Sequence, residues 1–289
     1  MQNVTLYAYL DISNPMVEWE VAIGRIKSSC DPLGEPFGVS LWYYNNLKNK
    51  LNANKRSQLI NEFQLESVRN AYFPNAVSRM RGVFFFETPE MAKTILTYWR
   101  RNRFNPAFIS SVNFSASTLT KVDAEWITQK LETLDKSLDW MHSYWNGDPY
   151  WDNPMTEVIA SGIGHVTNVD LRKMAYERIV KREPHASKLL AFSAAKFFYG
   201  VENAGLTVPS IVKEGTKLIG NYYIDMRAFE HGAMPGMEEV LKYCEEKGAT
   251  FPYDSICDTS GFQTVGNFNG RFEIDNKDVL SAFNTAHGI

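Results

Sequence analysis

Glu157 stands at the head of an apolar run, Val158–Val166, directly behind a loop that carries two aromatic pairs, Tyr144-Trp145 and Tyr150-Trp151. A carboxylate held at the mouth of a strand can stabilise positive charge that develops in a reacting ligand. It can also take a proton from an incoming nucleophile. Upstream, Ser78-Arg79 and Arg81 precede the apolar run Val83–Phe86. An arginine matches a phosphate through paired hydrogen bonds that a lysine does not reproduce. On an extended strand Arg79 and Arg81 point to the same side, so spacing alone does not choose between them. His165 lies eight positions after Glu157 and shares its face if no bulge intervenes, but at about 3.3 Å per residue it is too distant for the same proton transfer. The ordinary use of a lone glutamate in this setting is as a solvated strand edge.

The elements that must position these groups follow from periodicity and punctuation. Strands are expected at Val4–Leu10, Arg81–Glu87, Phe108–Phe114 and Val158–Val166. Residues 18–28 read as helical, and a helix over 55–72 ends at Phe73-Pro74, where proline opposes continuation. Thr88-Pro89-Glu90 reads as a helix start with Thr88 as the cap. Ile127, Leu131, Leu134, Leu138, Met141 and Trp145 recur in steps of four and three, which predicts one helix over 122–145 with Trp140, Met141 and Trp145 in the core. Further helices are expected over 169–182, 188–199, 237–247 and 277–284. No glycine-rich phosphate loop follows a strand, so a doubly wound nucleotide fold is disfavoured. The expectation is an α+β chain built on a small split antiparallel sheet, with a boundary near residue 183.

With 289 residues, 44% of them hydrophobic and 13% aromatic, there is ample core material. No run nears the roughly eighteen apolar residues of a membrane span, and the N-terminus has no signal-peptide pattern. Three widely spaced cysteines suit a reducing cytoplasm, and neither they nor the five histidines have metal-site spacing. A net charge of −3 gives no overall attraction to nucleic acid, so any such contact must be local. Two local basic series exist, YWRRNRF at 98–104 and Arg172, Lys173, Arg178, Lys181 and Arg182. Each is either a solvated helix face or a phosphate track.

Two stretches, ESVRNAYFPNAVSRMRGVFFF (66–86) and YWNGDPYWDNPMTEVIASG (144–162), together resemble a branch of the ADP-ribosyltransferase superfamily. That branch includes uncharacterised bacterial and phage domains and toxins that modify DNA bases. The resemblance covers about residues 4–170. It implies an NAD-binding domain over 1–183, with a cleft between two small antiparallel sheets, followed by an α+β extension over 184–289. It implies Glu157 as the catalytic carboxylate and Arg79 as the arginine on NAD, with Ser78 and Phe85 at the cofactor. Many relatives carry a histidine on the first strand, where this chain offers Tyr9 or Tyr7.

In many protein-modifying relatives a Gln or Glu sits two residues before the catalytic glutamate. Met155 stands there, which argues against an arginine acceptor. Tyr150, Trp151, Asp152 and Asn153 are then expected to bind a nucleobase of an RNA or DNA acceptor. The implied protein is a cytoplasmic transferase using NAD and no metal, a toxin or phage-defence effector with a neutralising protein partner. The rival expectation is a non-catalytic module that binds a nucleotide or a protein. Tyr222, Tyr223, Asp225 and Arg227 form a polar-aromatic cluster in the C-terminal hundred residues, where nothing points to catalysis.

Overall fold

In chain order the computed structural model forms β1 (Gln2–Tyr9), α1 (Pro15–Ile23), β2 (Arg25–Lys27), β3 (Phe37–Gly38), α2 (Leu41–Asn52), α3 (Arg56–Tyr72), β4 (Val83–Phe85), α4 (Pro89–Arg100), β5 (Ile109–Asp123), α5 (Glu125–Lys130), α6 (Asp139–Asn146), β6 (Thr156–Val166), α7 (Val169–Arg182), α8 (Ala186–Tyr199), β7 (Thr207–Glu214), β8 (Lys217–Ile224), α9 (Met237–Glu246), β9 (Gly270–Ile274) and α10 (Lys277–His287). It describes residues 1–29, 37–100, 104–133, 137–249, 251 and 268–288. The class is α+β, with two antiparallel sheets.

The first sheet runs β1-β5-β6-β2, and β4 pairs with β6 beside β2. Long β5 is its spine. β5 and β6 pair from Val112↔Val166 to Asp123↔Thr156, with a bulge between Ala116 and Thr118. Such a bulge bends the strand and increases its twist. The bend lets β4 return to β1, where Tyr7 and Phe86 exchange backbone hydrogen bonds of 2.9 and 2.7 Å. Strands β1, β5, β6 and β4 thus close a circuit. Opposite the bulge Gly162 has φ 144°, and a Cβ there would lie 2.1 Å from the Ser115 carbonyl oxygen. Gly162→Ala is therefore expected to cost about 2–3 kcal/mol of stability, read as a lower urea midpoint at unchanged slope. A midpoint equal to wild type would show that the bend does not depend on this glycine.

The second sheet runs β3-β7-β8-β9. A single hydrophobic cluster takes Leu6, Trp19, Phe114 and Ile179 together with Leu190, Ile211, Phe272 and Phe283, so residues on both sides of 183 share it. A polar seam reinforces it. Trp19 Nε1 donates to the Gly205 carbonyl at 2.8 Å, and buried Arg25 donates to Glu20 and to the Ala204 carbonyl. The Glu20 carboxylate also accepts from Thr207 N at 2.7 Å.

Several expectations need correction. The helix expected over 122–145 is two, α5 and α6, because β5 continues to Asp123 in register with Thr156. The apolar positions still share one core, in which Leu131, Trp140, Met141, Tyr144 and Trp145 meet Leu65, Val77 and Ile159. Leu134 lies outside the described residues and Leu138 is exposed. The helix expected over 18–28 stops at Ile23, where Gly24 adopts φ 91° and accommodates the turn into β2. Arg79 and Arg81 sit in a turn before β4, not on the strand, so they do not share a face. The helix start at Thr88 is as expected, with Thr88 Oγ1 accepting from Met91 N at 3.1 Å. Among the described residues no helix is long and apolar enough to cross a membrane.

Candidate functional site

Glu157 opens into a cleft of about 300 Å³ framed by the end of β1, α1, α2, β4, α4 and the start of β6. Sheet alternation decides who faces it. On β1, Leu6 and Ala8 go to the core while Tyr9 reaches the cleft, and Tyr7 is not among the lining residues. On β4 and the residue after it, Phe84 and Phe86 line the cleft. Phe85 points the opposite way and packs on Phe114 with ring centroids 4.9 Å apart. Phe85 is therefore a core residue and does not line the cleft, whereas its neighbours Phe84 and Phe86 do. Val83↔Ala160 and Phe85↔Val158 set the register that brings Phe86 beside Glu157.

The turn that carries Arg79 is built by Ser78. Ser78 Oγ accepts from Met80 N at 3.1 Å, and the Ser78 carbonyl accepts from Gly82 N at 2.8 Å. Ser78 does not line the cleft, so it shapes the loop instead of touching a ligand there. Arg79 is buried and anchored on two sides. It reaches Glu62 through Nε at 3.3 Å and donates from Nη1 to the Tyr144 hydroxyl at 2.6 Å. The guanidinium also lies 5.2 Å from the Phe84 ring centroid. Arg81 instead lies over Phe37, 4.4 Å from the ring centroid, against a separate cavity near the end of α10. The structure thus separates two arginines that spacing could not. Arg69 bridges back to Glu66 at 2.9 Å and to the Ala76 carbonyl.

Beneath Arg79 lies a buried charge cluster that the sequence did not disclose. Glu62, on α3, binds Lys50 of α2 at 2.9 Å as well as Arg79. Burial alone would raise the Glu62 carboxyl, but Lys50 and Arg79 together hold it down to about 2. The Glu157 carboxyl moves the other way. Burial pushes it up to about 7, Arg79 opposes this, and Glu62 adds to it. Glu157 is only 7% exposed, and no hydrogen bond or ion pair reaches its carboxylate among the described residues. The nearby Tyr43 hydroxyl is also buried without a hydrogen-bond partner. A carboxyl that titrates near neutrality at a cleft wall, with its oxygens free, suits proton transfer to or from a ligand.

Loop 147–155 is positioned by Asp123, at the end of β5. Asp123 Oδ1 accepts from Glu125 N and Met155 N at 3.0 Å, and Oδ2 accepts from Tyr150 N at 2.8 Å. Removing a buried acceptor that serves several amides leaves each of them unsatisfied. Asp123→Ala is expected to destabilise the protein by about 2–4 kcal/mol and to expose the loop to proteolysis. Wild-type resistance at 147–155 would count against this role.

The loop lies outside the cleft. Tyr150 stacks edge-on against Trp126 and Trp151, at 4.6 and 4.7 Å, and Trp151, Asp152 and Asn153 are exposed. None of Tyr150, Trp151, Asp152 and Asn153 lines the cleft, because the Asp123 anchor folds them outward. Met155 turns in and packs with Phe86, Ile95 and Trp99. His165 lies outside the cleft and stacks on Phe197 at 4.4 Å.

The basic series are largely engaged. Arg178 binds the buried Glu18 carboxylate at 2.7 Å, and Arg182 binds it too. Arg172 donates to the Ile23 carbonyl at 3.3 Å. Residues 101–103 of the other series lie outside the described residues, while Tyr98 donates to Glu125 and Trp99 lines the cleft. In the C-terminal cluster, Tyr222 packs on Tyr44 and Asp225 binds Arg227.

One wall of the cleft was missed altogether. Trp42, Asn45, Asn46 and Asn49 of α2 all line it. Their spacing of three, one and three is a helix face, and that period was the available signal.

Residues 40–171, a little under half of the chain, match a family model described as a protein of unknown function (DUF2441). The match takes in α2, the Arg79 turn and Glu157, and it ends before the second sheet's long strands. No curated protein matches the chain.

Proposed function

We propose that the protein is an NAD-dependent ADP-ribosyltransferase whose catalytic carboxylate is Glu157. The observation that carries the reading is a buried, unpartnered carboxylate titrating near neutrality in the same cleft as a buried arginine and a set of aromatic rings. In the reaction the bond between ribose C1′ and the nicotinamide nitrogen breaks, and nicotinamide leaves with the electron pair. The transition state is oxocarbenium-like, as in glycoside hydrolysis. Ionised Glu157 stabilises that charge, and it takes the proton when the acceptor's oxygen or nitrogen bonds to C1′. Arg79 faces a phosphate, and Phe84, Phe86 and Trp99 offer stacking surfaces for the planar ring.

The acceptor in this reading is RNA or DNA, met at the outward loop of Tyr150 and Trp151, where the exposed Trp151 ring suits base stacking. A toxin or phage-defence role, with a neutralising partner in the cytoplasm, follows from the resemblance. A second reading is a binding module without catalysis. It draws on Arg79, whose guanidinium is already engaged by Glu62 and Tyr144.

Incubation with NAD labelled in the adenine moiety, followed by separation of RNA, DNA and protein, tests the assignment. Label in nucleic acid with stoichiometric nicotinamide release is expected. Equal nicotinamide release by wild type and Glu157→Gln would sink the catalytic role, and label confined to protein would remove the nucleic-acid acceptor.

A further inference from the structure

The α2 wall has features that a merely structural helix would not need. Leu41, Tyr44 and Leu47 bury one face in the core, while Trp42, Asn45, Asn46 and Asn49 turn to the cleft. Asparagine is a poor residue for a helix interior, and three within two turns, none at the cap, weaken the helix. Ser40 supplies the cap, accepting from Tyr43 N at 3.2 Å. Asn45 and Asn46 are half-buried, yet their amides make no hydrogen bond among the described residues, and neither does the amide of Asn49. The Trp42 indole N–H is likewise unengaged. Partly buried amides without partners present both donors and acceptors to whatever enters. The wall bears no charge, and Arg79, the cation that lines the cleft among the described residues, sits apart on the turn before β4.

We infer that this wall reads the edge of an amino-substituted heteroaromatic base, adenine above all, with the Trp42 ring as its stacking platform. An asparagine amide matches the adjacent donor and acceptor of adenine bidentately, whereas guanine is read best by a cationic fork, which the wall lacks. Aromatic stacking adds affinity for any base, and the amides supply the choice. The inference rests on the proposed function for the placement of the reacting bond at Glu157, not for the recognition of the base. The same chemistry has two sources, the adenine of the dinucleotide or a base of the acceptor strand.

The test uses full-length Glu157→Gln, which holds ligand without turnover, titrated calorimetrically with adenosine and guanosine. Adenosine is expected to bind at least about ten-fold more tightly than guanosine, and Asn45→Ala/Asn46→Ala in that background to erase the difference. Trp42→Ala is expected to weaken both nucleosides to a similar extent. Trp42, Asn45 and Asn46 are partly exposed, and unchanged melting of their variants relative to Glu157→Gln confirms an intact fold. Displacement of adenosine by ADP-ribose identifies the base as that of the dinucleotide, and simultaneous binding identifies it as the acceptor's. No adenosine binding, or equal affinities with and without the amides, overturns the inference. The two proposals fail separately. Adenosine selectivity without nicotinamide release leaves the wall standing and removes the transferase. Nicotinamide release with a KM for NAD and an acceptor preference untouched by the amide substitutions does the reverse.

Discussion

Glu157→Gln is expected to lose about 10²- to 10⁴-fold in NAD cleavage and, at pH 8, to be more stable than the wild type. The two effects share one cause. Burial raises the Glu157 carboxyl from 4.5 to about 7 in the folded protein. Between those values the folded state holds a proton that the unfolded chain has released. The favourable contribution of protonated Glu157 is therefore complete below pH 4.5 and is lost as pH rises through 7. Above that, the fold carries a buried anion without a hydrogen bond among the described residues, at a cost of about 3 kcal/mol. The amide of glutamine avoids the charge but still lacks a partner, which returns part of the gain. Thermal melts at pH 5, 6 and 8 should show the gap between variant and wild type opening in the variant's favour by about 1–3 kcal/mol. In parallel, kcat/KM of the wild type should rise with pH and level off above about 7, as the carboxylate ionises. A variant that melts below the wild type at pH 8 would show that Glu157 serves stability, not chemistry.

The second large effect lies one layer deeper. Glu62→Ala is expected to destabilise the protein by about 3–5 kcal/mol, because it strands Lys50 and Arg79 as buried charges. Replacing one member of such a cluster costs more than the net worth of the pair, since the partners cannot recover their hydration. The pH dependence has the opposite sign to that of Glu157. The Glu62 carboxyl is held down to about 2, so its contribution is complete above pH 4.5 and is lost as pH falls toward 2. Wild-type melts should drop in that range, and Glu62→Ala should flatten the drop. Glu62 also helps to raise Glu157, so the milder Glu62→Gln should move the wild-type rate profile to lower pH. An unchanged profile together with an unchanged melt would mean that the cluster is not coupled to the cleft.

These expectations separate what was legible in the chain from what was not. Glu157 was visible as a single charge at the head of an apolar strand. Thr88 as a cap and the ends of α3 and α7 were visible too, because caps, turns and periods are decided within a few residues. The apolar spacing over 127–145 correctly marked burial at Met141 and Trp145, yet it could not reveal the break between α5 and α6. Burial periodicity records a shared face, and two short helices can supply the same face as one. The Asn45, Asn46 and Asn49 stripe was legible in principle, but a polar helix face without its surroundings reads as solvent.

Other features depended on distance. Glu62 in NEFQLESV looks like any helix-surface carboxylate until Lys50 and Arg79 close on it. Asp123 is one more strand residue until the amides of Tyr150 and Met155 converge on it. Arg79 and Arg81 are equivalent on paper, and only the Ser78 turn sends one to the cleft and the other over Phe37. By itself the sequence determined the α+β class, most of the elements and one carboxylate at the mouth of a strand. The tertiary structure alone decided which charges meet, which aromatics face the cleft and which tyrosine of β1 reaches it. The physical reason is that capping, turns and hydrophobic period are local properties. The ionisation and partners of a buried group are instead set by residues that folding brings from far along the chain.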